Sequence, residues 1–390
     1  MIVLLMNKDI PVLKANINEY NLFTEILEID NISYAPISIK NAFYDKSKSV
    51  VKELNEWFIG RGIPSWRKDL EKLLNNLHVK YQEELLLKSF GLSLSDCYWI
   101  KDEKSNLLWK NINFFDNDFL YLGYLEATYS DSVSSKLSLV SPNNTTDGML
   151  AKAWIINNNK RCLMKGVYTS SNLEPINEYI ASVICDKLKI EHVDYKIDIY
   201  NNKIVSLCEN CLNGNEEIIN AYDIFISKKK SNNDSDYSHY VKLLEEMGLS
   251  NVKEYLSDMY LIDYIMMNYD RHMKNYGVIR DVDTLKINRF MPIFDNGQSL
   301  CCDKMLDEIN FRDGECKLFS NTKAHFSDLI KYIDLERYDL KELLDIPNIL
   351  NMVLHKYIRY IEISEERINL MVKGIKYRID YLVMLKEEKE

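Results

Sequence analysis

The sequence predicts an α+β fold in which an N-terminal α/β region precedes a small β-rich lobe and a larger helical lobe. Three observations predict it. All five tryptophans of the 390-residue chain lie before residue 155, which indicates an N-terminal unit with its own core. Residues 148–210 have a β-β-α-β-β pattern, and the chain beyond Gly214 is mostly helical in character. At about 150 residues per domain, the length allows two or three domains. We place the boundaries at 1–125, 126–212 and 213–390.

The composition is that of a globular protein and excludes several functional classes. Hydrophobic residues make up 46% of the chain and charged residues 28%, which suffices for a sizeable core. A formal charge of −10 argues against nucleic acid as the main partner, because phosphate binding needs a positive surface. No apolar run approaches the ~20 residues of a membrane helix. Met1–Met6 is apolar but is broken at once by Lys8 and Asp9 and has no basic leader, so we do not expect a signal peptide. Cysteines spread along the chain favour reduced thiols, so we expect a cytoplasmic protein without a membrane partner.

The N-terminal region alternates short β-like runs with polar breaks over residues 1–45. Residues 47–90 have helical periodicity, because Leu54 and Phe58 share one helical face and Leu70 and Leu77 another. Residues 91–119 mix polar and aromatic side chains without a clear period.

The β-rich lobe is predicted from two asparagine turns and one helix. Runs over 149–156 and 161–167 flank the asparagines at 157–159, and runs over 195–200 and 203–208 flank Asn201 and Asn202. Each arrangement is typical of a β-hairpin. Between the hairpins, Glu174 and Pro175 suit the first turn of a helix, whose apolar positions recur through Leu188.

The helical lobe contains two strong amphipathic patterns. One is an apolar stripe from Val252 to Met266, and the other runs from Ile368 to Leu382 with Ser364 as its candidate N-cap.

The densest polar cluster follows the first of these helices and spans residues 268–275. Asp270 and Asn275 stand five positions apart, the spacing of the catalytic Asp and the metal-binding Asn in protein kinases. Asp295-Asn296-Gly297 then fits the D-x-G turn that supplies a second metal ligand. Mg²⁺ commonly takes one or two carboxylates together with substrate phosphates. These residues therefore predict a magnesium and phosphate site.

A kinase also needs a phosphate-binding lysine on an upstream strand, paired with an acidic residue on the next helix. Lys165 stands on the second predicted strand of the first hairpin, and Glu178 or Glu174 could pair with it. Each feature also has a structural interpretation. Asp-Asn-Gly is usually a turn, His272 is more typical of a residue that fixes a loop than of a base, and the Asp-Arg-His grouping could be a salt bridge. The order of all the pieces favours the catalytic interpretation.

These residues resemble the signatures of the HipA-like serine/threonine kinases. The resemblance rests on two paired segments, and it covers about residues 148–300 by motif and 300–390 by helical character. The first pair is Leu163-Met164-Lys165-Gly166 with Glu174-Pro175-Ile176-Asn177-Glu178-x-x-Ala181-Ser182. The second is Asn268-x-Asp270-Arg271-His272-x-x-Asn275-x-Gly277 with Pro292-Ile293-Phe294-Asp295-Asn296-Gly297-x-Ser299.

The resemblance implies a two-lobed, protein-kinase-like fold and a role for each matching residue. By this resemblance Asp270 is the catalytic residue, while Asn275 and Asp295 hold Mg²⁺. Lys165 contacts the ATP phosphates, with Glu178 as its partner. The hinge beside adenine would be formed by Cys208-Glu209-Asn210.

The phosphate-binding loop departs from the family pattern. It is glycine-rich in family members, whereas residues 141–148 contain only Gly148. Thr145 and Thr146 could supply phosphate contacts together with Gly148. The resemblance also makes Ser141, Thr145 and Thr146 candidates for autophosphorylation, although a polar surface loop explains the segment equally well.

The function expected from the sequence is an ATP- and Mg²⁺-dependent serine/threonine protein kinase acting on a protein substrate. The resemblance further implies a toxin of a toxin–antitoxin pair with a helix-turn-helix antitoxin, although residues 1–125 match no motif of the family. A small-molecule or lipid kinase on the same fold and a pseudokinase that binds partners remain the alternatives.

Overall fold

The computed structural model describes residues 1–65, 70–130, 132–146, 148, 150–319 and 323–388; Trp66, counted above among the tryptophans, lies outside them. Strands and helices are mixed along the chain, so the predicted α+β class is confirmed. The chain forms two compact units. The first consists of Met1–Met164, Asn210–Ile219 and Val278–Arg289, and the second of Lys165–Glu209, Asn220–Gly277 and Phe290–Glu390. The domain boundaries given above stay a prediction.

The strands of the described residues are mostly short. In chain order they are β1 (Ile2–Asn7), β2 (Ile10–Ile17), β3 (Phe23–Ile29), β4 (Tyr98–Asp102), β5 (Lys152–Asn157), β6 (Lys160–Lys165), β7 (Tyr195–Tyr200), β8 (Lys203–Glu209), β9 (Glu216–Asn220), β10 (Gly277–Asp281), β11 (Ile287–Phe290), β12 (Glu315–Lys317) and β13 (Lys323–His325).

The α-helices of the same residues range from four to 23 residues in length. They are α1 (Ile37–Tyr44), α2 (Val50–Ile59), α3 (Leu70–Leu77), α4 (Gln82–Lys88), α5 (Trp109–Ile112), α6 (Leu122–Tyr129), α7 (Glu174–Leu188), α8 (Ala221–Phe225), α9 (Asp236–Glu246), α10 (Val252–Met266), α11 (Phe326–Leu329), α12 (Ile346–Lys356) and α13 (Glu365–Glu387). Among them, none has the combination of length and apolar character that crossing a membrane requires.

The first unit begins with an antiparallel sheet in the order β3-β2-β1-β4. Helix α2 packs on it through Leu54 and Phe58, and Ser49 caps that helix by accepting a hydrogen bond from the backbone N–H of Lys52. Strand β4 was not predicted. Its first three residues are all buried, so it lacks the apolar–polar alternation by which a half-buried strand is recognised.

A second core of the first unit contains most of the tryptophans. Trp99 and Trp109 are buried in it, and the half-buried Trp154 packs against it. This core also includes Val282, from a late segment of the chain that belongs to the first unit.

Two further sheet segments lie in the first unit. The asparagine turn between β5 and β6 places Asn158 and Asn159 at positive φ, as a tight hairpin requires. Strands β9, β10 and β11 form a three-stranded sheet inside the stretch that the sequence predicted to be mostly helical. That prediction was wrong here because these strands have only four or five residues, and the first four residues of β10 are all buried.

The second unit is built around α10, most of whose 15 residues are buried. The hairpin of β7 and β8 turns at Asn201 and Asn202, both at positive φ, as the sequence predicted. Helix α13 begins after Ser364, whose side chain accepts a hydrogen bond from the Arg367 N–H, so the predicted N-cap is present. These elements position the polar cluster of the second unit.

Candidate active site

Lys165 ends β6 and lies between two carboxylates of the second unit. Its ammonium donates to Glu178 Oε1 on α7 in a short ion pair, and to Asp295 Oδ1 at 2.6 Å. The ring of Tyr195 lies beneath the ammonium, 5.2 Å from ring centroid to nitrogen. Only 5% of the Lys165 side chain is exposed, so these partners replace its hydration.

The charges of this cluster keep the lysine protonated. Burial alone would lower the pKa of Lys165, but the carboxylates of Asp295 and Glu178 outweigh it and hold that pKa well above its usual value. Glu178 was one of two partners suggested by the sequence. The other, Glu174, instead accepts hydrogen bonds from the backbone N–H groups of Tyr168 and Thr169 at 3.0 and 2.6 Å.

Helix α7 also fixes the turn that carries Asp295. Glu178 Oε2 accepts from the Asn296 N–H at 2.9 Å. Asn177 Nδ2 donates to the carbonyls of Gly297 and Ser299, both at 2.8 Å. Asp295 itself is held at φ +60°, a conformation that needs support from its surroundings. The sequence analysis quoted Asn177 in the motif around Glu178 but gave it no role.

We predict that Asn177→Ala lowers the free energy of unfolding by about 2 kcal/mol, because it leaves two carbonyls without their buried donor. Chemical denaturation measures this change. Asn369→Ala is the matched control, since the Asn369 amide makes one exposed bond to the Glu365 carbonyl. Equal stability of the two variants would show that Asn177 does not support the turn.

The residues Asp270 to Asn275 form a compact turn after α10. The Asp270 carbonyl accepts from the His272 N–H at 2.7 Å and from Asn275 Nδ2 at 3.3 Å. The Asp270 N–H in turn donates to Asn268 Oδ1 at 3.2 Å. The backbone beside both predicted functional residues is therefore fixed from within the segment.

Arg271 connects this turn to α10 and to the Asp295 turn. Its guanidinium forms a bidentate ion pair with Asp263 of α10, with Nη2–Oδ1 at 2.9 Å and Nε–Oδ2 at 3.0 Å. It also donates to Asn296 Oδ1 at 2.6 Å and to the carbonyls of Asn275 and Phe294 at 3.1 and 2.5 Å. Both charged side chains are almost fully buried. Burial lowers the pKa of Arg271, but Asp263 more than compensates and raises it above its usual range.

Arg271 does form a salt bridge, but with Asp263 and not within the Asp270-Arg271-His272 grouping. Sequence reasoning missed Asp263. The available signal was a carboxylate that stands alone in the otherwise uncharged run of residues 259–267. Asn268 also donates to Asp263 Oδ1 at 3.0 Å, so one buried carboxylate holds two residues of the following turn.

The carboxylate of Asp270 forms a short ion pair with Lys317 on β12. About 28% of the Asp270 side chain is exposed, in contrast to the buried Asp263. His272 lies close by. Burial lowers its pKa from the usual value, although the Asp270 carboxylate opposes this shift. Its Nδ1 accepts from the Lys274 N–H at 3.3 Å, which suits a residue that fixes the loop.

The donors predicted to hold Mg²⁺ are oxygen groups of the second unit. Asp295 offers a carboxylate that is 29% exposed, and Asn275 offers an amide oxygen. No group of three or more His, Cys, Asp or Glu suited to a metal occurs among the described residues. Mg²⁺ sites with one or two carboxylates and substrate phosphates do not need such a group. The donor set fits this ion.

Segment 141–146 of the first unit is a short 3₁₀ turn rather than an open loop. Ser141 Oγ donates to the Leu120 carbonyl at 3.2 Å, and Thr145 Oγ1 donates to the Leu92 carbonyl at 2.6 Å. Thr146 Oγ1 donates to the Asn143 carbonyl at 3.3 Å, and all three side chains are buried. The interpretation as a polar surface loop is therefore wrong, whereas phosphate binding and autophosphorylation stay predictions that require this segment to open. Gly148 has φ +96°.

The predicted hinge residues end β8. Cys208 is buried and pairs with Tyr195 across the β7–β8 hairpin, whereas Glu209 is exposed. Asn210 belongs to the first unit, where its Nδ2 donates to the Leu94 carbonyl at 3.0 Å.

Comparison with known proteins finds one curated relative and two solved structures of interest. No protein-family profile matches the chain. A stretch of 152 residues is 27% identical to the serine/threonine-protein kinase CtkA of Helicobacter pylori and covers 35% of this chain and 46% of CtkA. The match therefore spans about half the length of that relative.

The two solved structures were compared by fold. The crystal structure of the proinflammatory kinase CtkA of Helicobacter pylori aligns with a TM-score of 0.45 and 20% identity, over 61% of this chain and 94% of CtkA. The Shewanella oneidensis toxin–antitoxin complex of HipA, HipB and operator DNA aligns with a TM-score of 0.44 and 12% identity, over 97% and 96% of the two chains. By the sequence comparison, part of the chain is similar to a serine/threonine-protein kinase, the class of enzyme that its sequence motifs predicted.

Proposed function

We propose that the chain is an ATP-dependent serine/threonine protein kinase. The observation that carries the proposal is the position of Lys165 between Glu178 and Asp295. A strand lysine, a helix glutamate and a metal-binding aspartate are three parts that a kinase must bring together around the nucleotide phosphates. The sequence similarity to CtkA, a serine/threonine-protein kinase, supports the same activity.

In the proposed reaction the acceptor hydroxyl attacks the γ-phosphorus of ATP. A bond forms between the hydroxyl oxygen and phosphorus, the bond from phosphorus to the β-phosphate oxygen breaks, and ADP leaves. Asp270 orients the hydroxyl and takes its proton. Lys165 balances negative charge on the phosphates. Arg271 holds the turns that carry Asp270 and Asp295 in a fixed position relative to each other through its hydrogen bonds to both.

Asp295 and Asn275 are the residues proposed to hold Mg²⁺. When bound, this ion supplies a positive charge that neutralises the phosphates and orients them. Lys165 donates to Asp295 in the structure, so the same carboxylate would face both cations, as expected for a group at the centre of a phosphate site.

We expect Lys165→Ala to weaken ATP use, because the variant loses the cation that faces the phosphates. Titration with ATP, followed by calorimetry and by turnover, measures the effect. Lys203→Ala is the control, since Lys203 is an exposed lysine at the start of β8. Unchanged ATP affinity and turnover in Lys165→Ala would contradict the role assigned to Lys165.

Incubation with γ-labelled ATP and Mg²⁺, alone and with cell lysate, tests the proposed substrate class. A labelled protein band is expected. A label found only in an organic extract would favour a lipid kinase, and one found only in a small polar product would favour a small-molecule kinase. ATP binding without any turnover would favour a pseudokinase.

The finer parts of the proposal rest on the sequence resemblance. They are a toxin role with a helix-turn-helix antitoxin, self-phosphorylation at Ser141, Thr145 or Thr146, and a cytoplasmic location. The spread of cysteines along the chain supports the last of these. A search of the neighbouring gene for a short helix-turn-helix reading frame tests the antitoxin. On co-expression, the product of such a frame should co-purify with the chain and relieve growth arrest.

A further inference from the structure

A groove of about 460 Å³ lies beside the Asp270 turn within the second unit. Its walls are mostly apolar and come from α8, from the residues after Asp270 and from the end of β12. The apolar lining residues are Tyr222, Phe225, Ile226, Met273, Leu318 and Phe319. A volume of this size lies within the ~300–1,000 Å³ of sites that hold small ligands, so the groove is large enough for one or two apolar side chains.

The groove is physically joined to the proposed catalytic aspartate. Met273 follows Asp270 in the same turn, and the N–H of Tyr222 donates to the Met273 carbonyl at 3.1 Å, which fixes α8 against that turn. Lys317 lines the groove and also forms the ion pair with Asp270. Anything seated in the groove is therefore next to the carboxylate that would receive the acceptor proton.

The charges at the groove are positive and exposed. Lys274 and Lys317 both line it with exposed side chains, and Lys274 forms no ion pair among the described residues. Lys317 already pairs with one carboxylate, that of Asp270. A carboxylate on an incoming segment can take over Lys317 and release Asp270 to meet the acceptor hydroxyl.

We infer that this groove binds the acceptor segment of a polypeptide in which an apolar side chain and an acidic side chain flank the serine or threonine. The inference rests on the proposed function and names the substrate class of the same site. The apolar side chain fills the space between Tyr222 and Leu318, and the acidic one pairs with Lys274 or Lys317. The formal charge of −10 favours a polypeptide over an anionic lipid surface, which would repel the chain.

Matched serine peptides test the inference with the full chain. Each peptide carries leucine or alanine on one side of the serine and glutamate or lysine on the other, and both orders are tested. We expect kcat/KM to be about tenfold higher for peptides with leucine and glutamate than for those with alanine and lysine, the discrimination that one apolar contact supports. Equal use of all peptides, or transfer only to a lipid or a small molecule, would overturn the inference.

Variants of the groove residues test whether the preference for leucine and glutamate in the peptide comes from the groove. Tyr222 is 47% exposed, so Tyr222→Ala is expected to raise the peptide KM and reduce the preference for leucine. Lys274→Glu should reverse the preference for glutamate. Tyr377→Ala and Lys373→Glu, both at exposed positions of α13, are the matched controls. Groove variants that behave like these controls would contradict the assignment.

A binding measurement separates this inference from the proposed function. Fluorescence anisotropy with peptides whose serine is replaced by alanine reports groove occupancy without turnover. Preferred binding of the leucine–glutamate peptide supports the groove even if no phosphoryl transfer is found, in which case only the proposed function fails. Binding without preference overturns the groove even if the chain proves to be a kinase.

Discussion

Arg271→Met is expected to lower the free energy of unfolding by about 3–5 kcal/mol, because it leaves the Asp263 carboxylate buried without its partner. The variant also removes the donors to Asn296 Oδ1 and to the carbonyls of Asn275 and Phe294. Denaturant titration measures the loss. Since Arg271 joins three segments, we also expect less cooperative packing of both functional turns.

A double variant sharpens this prediction. Arg271→Met combined with Asp263→Leu removes both buried charges and should recover part of the lost stability, since an apolar pair of similar size often replaces a buried ion pair at little cost. Arg359→Met, at an exposed position, serves as the control. A single variant as stable as this control would show that the Arg271–Asp263 pair does not hold the site together.

Asp270→Asn is expected to reduce phosphoryl transfer by about 100- to 10,000-fold, the range that removal of a general base produces. The fold should persist, because the Asp270 side chain is partly exposed and its backbone bonds do not involve the carboxylate. Asp295→Asn should abolish transfer too, because it removes the carboxylate proposed to hold Mg²⁺. Initial rates with labelled ATP measure both variants.

The control for the aspartate variants is Asp380→Asn on α13. This residue pairs with Lys376 one helical turn away and is exposed. Wild-type rates in either Asp270→Asn or Asp295→Asn would disprove the corresponding role. Thermal unfolding of each variant distinguishes lost chemistry from lost structure.

Local signals explain which elements could be predicted from the sequence. Asparagines tolerate positive φ, so the turns at Asn158–Asn159 and Asn201–Asn202 marked both hairpins. The cap at Ser364 and the apolar stripe of α10 were likewise encoded in neighbouring residues. Strands β4 and β10 were missed because burial of successive residues erases the alternation on which strand prediction depends.

The candidate site was predictable from the sequence only in part. The motif order identified Lys165, Glu178 and Asp295, and the structure brings these three together. Asn177 and Lys317 act through contacts with residues 120 and 47 positions away in the sequence, which no spacing rule predicts. Asp263 contacts residues only five and eight positions away, but these contacts depend on how the turn folds back onto α10. For segment 141–146 the local signal was misleading. Its polar residues are typical of an exposed loop, but they are buried and donate hydrogen bonds to carbonyls of other segments.

The central claim is that Lys165, Asp270 and Asp295 serve the transfer of phosphate from ATP to a protein hydroxyl. Phosphosite mapping by mass spectrometry, after incubation of wild type and Asp270→Asn with ATP, Mg²⁺ and lysate, tests it most directly. The account predicts phosphoserine or phosphothreonine on a protein with the wild type and its loss with the variant. Phosphoprotein formed equally by both, or no phosphoprotein with the wild type, would contradict the account.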